Sequence, residues 1–312
     1  MTSVALAQAA WRLDARNPLL RPPFPSPILA DPTFLPPSET PDGRWHLFAH
    51  SLFGIHHHVS PDGVVWRRRG RVCGNALRAF LHRDGDVFRL LYERCRLMLP
   101  MLRSRWYSHV EMRTSPDLER WSAPTVLLRP SLAWHREPGG GAAVGNPCLL
   151  RTSGGWRLYY SAGLVRLEDC GFDEPRHIGV ADADAPDGPF TPHPQPILSP
   201  RDDDPAANLG AGSMKVLAVD DGFVGFQNGI SWDSAARRSG SAVRLLGSTD
   251  GLAFRPLGEP FLRPAPGWMR SHVYAVDVRR VGGELVLYFN ARNAWHWLVG
   301  REAIGRATAE VS

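Results

Sequence analysis

SGGWRLYYSAG, residues 153–163, is the stretch on which the fold turns. A Gly-Gly turn opens it and an aromatic-rich strand follows, the pattern of a tight hairpin entering a sheet. The same unit recurs as PDGRWHLFAHS at 41–51, DGDVFRLLYE at 84–93, DDGFVGFQNG at 220–229 and GGELVLYFNAR at 282–292. The turn glycines are Gly43, Gly85, Gly155, Gly222 and Gly283, separated by 42, 70, 67 and 61 residues. The period is therefore degenerate, its length varying through loops.

A second unit follows the first: a small-residue turn, an aromatic anchor, then a Pro-rich extended run. It reads SPDGVVWRRRGRV at 60–72, SPDLERWSAPTVLLRP at 115–130, APDGPFTPHPQPILSP at 185–200 and STDGLAFRPLGEPFLRP at 248–264, with anchors Trp66, Trp121, Phe190 and Phe254. No copy follows the fifth hairpin, but AAWRLDARNPLLRP at 9–22 matches AFRPLGEPFLRP at 253–264, with Trp11 at the anchor. Five radial four-stranded units make an all-β, five-bladed β-propeller spanning 1–312 as one domain. The N-terminal strand completes the last blade, closes the ring and covers an edge that would otherwise invite aggregation. The competing architecture is a β-sandwich with chance hairpin similarity, against which the orphan strand argues.

Composition agrees. The 312 residues include 30 Gly and 28 Pro, more breakers than most helical architectures absorb. Net charge is +5, and of 36 cations only Lys215 is lysine, a bias of the kind codon usage produces. Acids and bases are interspersed, and the densest basic run, RRRGR at 67–71, sits on an expected outer strand, so nucleic acid is not the expected partner. No stretch reaches the length of a membrane span, and the N-terminus lacks the basic region and apolar run of a secretory signal. Cys73, Cys95, Cys148 and Cys170 are widely spaced with no CxxC pair, which predicts reduced thiols in a cytoplasmic protein.

The inner strands are expected to begin near Asp31, Asn75, Asn146, Ala211 and His272. The glycine turns then share one face, and function collects on the other, where loops line the axial pocket. Asp31 and Asn146 take matching positions there. Glu93, Tyr107 and His109 flank a long loop of the second blade, and Asp169 and Glu174 lie on the loop LVRLEDCGFDEPRH of the third, with Glu168, Asp173 and His177. The fourth blade brings Lys215, Gln227 and Asn228, and the fifth His272, Asn290 and Arg292. Amides and Arg bind vicinal hydroxyls and aromatic faces cover sugar rings. Paired carboxyls are the minimum for glycoside hydrolysis. His272 is also a candidate ligand for an axial structural cation. The triple histidine at 56–58 lies on a strand whose alternation sends it to both faces, so no metal site is read there. No other cofactor is called for.

ADPTFL at 30–35, NPCLLRTSGGWRLYYSAG at 146–163 and IGVADADAPDGPF at 178–190 resemble the five-bladed propeller glycosidases, family 43 and its relatives of families 32, 62, 68 and 130. The resemblance covers nearly the whole chain. It implies a general-base Asp at the start of blade one, matched by Asp31, and a pKa-tuning Asp in blade three, replaced here by Asn146. It also implies a general-acid Glu in blade four, where GAGSMK at 210–215 holds no carboxyl. Asp31 is then expected to act as base or nucleophile, with a relocated acid, Glu93 or Glu174. The glycosidase reading, with a glycan or small glycoside as partner and hydrolysis, phosphorolysis or transglycosylation as its chemistry, has two rivals. One is a non-catalytic sugar-binding propeller. The other is different small-metabolite chemistry under an apolar lid, RLMLPMLRSRW at 96–106.

Overall fold

Alternating apolar residues and turn glycines produce antiparallel meanders throughout the computed structural model, which describes residues 1–95, 106–136 and 141–310. A short helix, α1 (Ser3–Ala7), and a two-residue strand, β1 (Arg12–Leu13), come first. The first meander is β2 (Ala30–Leu35), β3 (Trp45–Ser51), β4 (Gly54–Ser60) and β5 (Arg67–Cys73). The second is β6 (Ala76–Asp84), β7 (Val87–Cys95), β8 (Ser108–Ser115) and β9 (Thr125–Leu128). The third is β10 (Val144–Thr152), β11 (Gly155–Leu167), β12 (Phe172–Ala183) and β13 (Thr191–Pro192). The fourth is β14 (Gly210–Val219), β15 (Gly222–Asp233), β16 (Arg238–Ser248) and β17 (Arg255–Pro256). The last is β18 (His272–Val281), β19 (Glu284–Arg292) and β20 (Glu302–Glu310). Its outer edge is taken by β1, Arg12 opposite Thr308 and Leu13 opposite Ala307. A parallel pairing of Ser241 with His272 links the fourth and last meanders.

The repeated turn has a physical reason. Ser60 donates to the Asp62 carboxylate at 2.9 Å, and that carboxylate accepts the amides of Val64 and Val65. Asp117 and Asp250 repeat the arrangement with Ser115 and Ser248. Each turn aims its aromatic anchor at the preceding meander. Trp66 packs edge-on against Tyr288, Trp121 against Phe48, Phe254 against Tyr159 and Trp11 against Phe226. Phe190 is buried in the cluster that includes Phe80 and Leu91 of the second meander. The short repeat therefore works as a fastener between sheets, each ring burying apolar area that one sheet alone could not cover.

The inner strands meet in sequence. β2 packs on β6, β6 on β10, β10 on β14, β14 on β18, and β18 on β2. Buried Asp277 of β18 accepts from the Thr33 hydroxyl at 2.8 Å and the Phe34 amide at 3.1 Å, while Thr33 Oγ1 accepts the Leu81 amide of β6 at 2.9 Å. One carboxylate thus fastens three inner strands, its lone pairs satisfied away from water. All four cysteines are unpaired and buried. Among the described residues no helix is long and apolar enough to cross a membrane.

The N-terminus is held at several points. Thr2 caps α1, Ser3 bonds Asp221, and Trp11 stacks 5.0 Å from Phe261. Deleting residues 1–15 uncovers the β20 edge and this aromatic contact. The expected outcome is a Tm lower by about 5 °C or more and concentration-dependent scattering on heating. An unchanged Tm and a monodisperse truncated protein would contradict that role for β1.

Candidate active site

Each inner strand carries a β-bulge near its start, where two residues oppose one on the next strand. The pairs are Asp31–Pro32, Arg78–Ala79, Asn146–Pro147, Ala211–Gly212 and Tyr274–Ala275. A bulge re-aims a side chain out of the ladder. Here Asp31, Arg78, Asn146 and Tyr274 all turn into one cavity of about 370 Å³. Asp31, Arg78 and Asn146 have φ of 50°, 52° and 49°. The left-handed region costs a side-chain-bearing residue about 1–2 kcal/mol and is retained mainly where function needs it. The fourth bulge has Gly212 at φ 65°, where any Cβ would overlap the Asn228 carbonyl.

The carboxyls of Asp31, Asp173, Glu174 and Glu302 share the cavity wall. The Asp31 amide donates to Asn290 Oδ1 at 3.2 Å, and Asp31 Oδ2 lies 3.3 Å from His50 Nδ1. Burial, with Arg78 beside it, pushes the His50 pKa down to about 3, so that imidazole is neutral. Burial pushes Asp31 up to about 6, and Arg78 and Lys215 oppose the rise. Glu174, at the start of β12, is pushed up to about 8 by burial, with Glu302 and Asp31 adding to the effect and Arg78 opposing it. Glu302 is also raised by burial, although Arg292 donates to it at 2.7 Å and Asn290 at 3.1 Å. Burial disfavours the Arg78 cation, but Glu93, Asp31 and Glu174 outweigh that and hold it charged. Two carboxyls in one cavity are thus separated by environment, Asp31 ionised and Glu174 protonated near neutrality.

Of the residues singled out in the sequence, Asp31, Asn146, Asp173, Glu174, Asn228, Asn290 and Arg292 line this cavity. The others lie elsewhere. Glu93 is fully buried behind Arg78, bonded to it at 2.9 Å and packed against Gly145, where a Cβ would overlap its carboxylate. Tyr107 bridges to Ala142, and His109 bonds Glu111 at 3.0 Å. Asp169 accepts from the amide and hydroxyl of Ser239. Gln227 bridges the Ala211 carbonyl and Arg244. Lys215 donates to the Pro147 carbonyl at 2.7 Å and sits 4.9 Å from the Phe80 ring centre, the partners a buried ammonium needs. His272 stacks on Tyr274 and faces Ser239 and Cys170, burial pushing its pKa down to about 3. No group of three His, Cys, Asp or Glu able to hold a metal occurs among the described residues. The apolar stretch 96–105 lies outside the described residues.

Arg78, Glu302 and His50 are cavity residues that sequence reasoning missed. A signal for Arg78 exists: it precedes Leu81 by three positions, as Asp31 precedes Phe34 and Asn146 precedes Leu149. Glu302 has none, because it reaches Asn290 and Arg292 only through the register that pairs it with Arg292.

The chain has the fold of known glycoside hydrolases. It is similar to the structure of a thermostable family-43 glycoside hydrolase (13% identity, TM-score 0.59, covering 89% of this chain and 88% of that one). It is similar to a family 117 glycoside hydrolase of the marine bacterium Zobellia galactanivorans (15%, 0.60, 97% and 91%). An N-acetylgalactosamine deacetylase from F. plautii, in complex with blood group B trisaccharide, shares the fold as well (13%, 0.63, 90% and 89%). No protein-family model matches the sequence, and no curated protein does. At these identities the likeness establishes the architecture, and the chemistry rests on the cavity.

Proposed function

We propose that the protein is a glycoside hydrolase built as a single five-bladed β-propeller, its ring closed by β1 on β20. The closed succession of inner-strand contacts supports the architecture, and the buried unpaired thiols fit a reducing cytoplasm. Glu174 is the general acid and gives its proton to the glycosidic oxygen as the bond to the anomeric carbon breaks. Asp31 is the general base and takes a proton from the water whose oxygen forms the new bond to that carbon. Arg78 keeps Asp31 ionised, and Asn146, facing the sugar, orients it without carrying charge. The carrying observation is that Asp31 and Glu174 line the same cavity with pKa values pushed to about 6 and about 8.

The order of those values fixes the pH dependence. Asp31 must be ionised, so activity falls as pH drops through about 6. Glu174 must be protonated, so activity falls as pH rises through about 8. The rate of aryl-glycoside hydrolysis is expected to be bell-shaped, with its maximum near 7. A profile flat from pH 5 to 9 would remove the assignment.

A further inference from the structure

The cavity changes character with depth. Its buried wall is polar: Ser213, Asn146, Asn228 and Asn290 are all 5% exposed or less. Two polar atoms there, Asn146 Oδ1 and the Tyr274 hydroxyl, have no hydrogen-bond partner among the described residues, and a buried polar atom left unpaired is costly unless a ligand satisfies it. The outer wall is apolar and partly exposed, made by Ile28, Leu52, Trp106, Phe172 and Trp297. The neighbouring Phe53 and Leu298, 42% and 61% exposed, carry large apolar side chains beside Leu52 and Trp297.

Charge narrows the ligand further. Four carboxyls line the cavity against two guanidiniums. Arg292 is committed to Glu302 and to the carbonyls of Ala294 and His296, and Arg78 to Glu93, with Asp31 and Glu174 close by. A sugar carboxylate would therefore add a fifth carboxyl to a wall whose cations already face carboxylates.

We infer that the cavity takes a glycoside of a neutral sugar with an apolar aglycone. The sugar ring fills the polar floor, its hydroxyls pairing Asn146 Oδ1 and the Tyr274 hydroxyl. An aryl or alkyl aglycone lies against Leu52, Trp106, Phe172 and Trp297. A second sugar could offer that wall only the apolar face of its ring, whereas an aryl or alkyl aglycone covers Leu52, Phe172 and Trp297 without desolvating hydroxyls. The inference rests on the glycosidase reading of the same site and supplies its substrate class.

The test separates binding from turnover with non-hydrolysable probes. Phenyl and methyl 1-thioglycosides of arabinose, xylose, galactose and glucose, in both anomers, are titrated calorimetrically into the full chain, together with phenyl 1-thioglucuronide. For at least one neutral sugar the phenyl probe is expected to bind about tenfold or more tighter than the methyl probe, and the glucuronide far more weakly. Trp297→Ala, and Leu52→Asn at its more exposed site, are expected to cut that ratio below about threefold. Equal phenyl and methyl affinities, a glucuronide that binds as well as the neutral probes, a ratio unmoved in both variants, or no binding by any probe overturns the inference. A phenyl advantage without release of phenol from the O-linked glycosides keeps the ligand class and rejects the hydrolase. Turnover with equal affinities does the reverse.

Discussion

Asp31→Asn is expected to lower kcat on a confirmed glycoside by about a thousandfold, because it removes the proposed general base for the attacking water. The same substitution should stabilise the protein at pH 8. The Asp31 pKa is raised in the folded state, from an ordinary 3.8 to about 6. Its contribution to stability is therefore fully present below about 3.8 and is lost as pH rises through about 6. At pH 8 the native protein carries a poorly solvated carboxylate that Asn replaces without charge. A Tm increase of about 2 °C or more at pH 8, absent at pH 3.5, is the expected signature. Lost activity with lost stability at both pH values would indicate a fold defect instead. Calorimetric melts beside single-turnover kinetics give both readouts on one preparation.

Arg78→Met is expected to be the most damaging single substitution at the site. Glu93 is fully buried, with Arg78 bonded to it at 2.9 Å. Removing one partner of a buried ion pair leaves an uncompensated charge and costs about 3–5 kcal/mol. Arg78→Met with Glu93→Gln should recover much of that loss, since the Glu93 carboxylate is then no longer buried without its partner. Denaturant midpoints across the four proteins of the cycle measure the coupling. If the double variant is no more stable than Arg78→Met, the loss does not come from leaving Glu93 buried without its partner. Folded double variant should also show its acid limb displaced above pH 6, because Arg78 lowers the Asp31 pKa and Glu93 raises it less.

Much of the architecture was legible because it depends on local pattern. The turn glycines precede the second strands, and the aromatic anchors follow turns whose Ser–Asp pairs build the same loop at 60–62, 115–117 and 248–250. The match between 9–22 and 253–264 led to β1 on the β20 edge, a pairing of residues almost the whole chain apart. The site was harder to read. Asp31 and Asn146 emerge together in the sequence as matching strand starts, but the bulges that turn them into the cavity are set by strand register. Arg78 escaped because Asn75, three residues earlier and itself at φ 49°, resembles a strand-start residue more closely. Glu93 and Glu174 were equal candidates in sequence, each a carboxyl beside an expected pocket. What separates them is packing: Gly145 leaves room for Glu93 behind Arg78, while strand pairing opposite Val165 brings Glu174 to the cavity wall. His272 and Lys215 lie where the sequence suggested, near the inner strands, but neighbouring strands supply their partners.

The central claim is that Glu174 delivers the proton to the leaving group. Its most direct test is the leaving-group dependence of Glu174→Gln. The variant and the native protein are compared on glycosides of one sugar, from 2,4-dinitrophenol, which leaves without help, to unactivated phenol. The account predicts that the variant loses less than about tenfold on the dinitrophenyl glycoside and about a thousandfold on the phenyl glycoside. Equal losses across the series would contradict it.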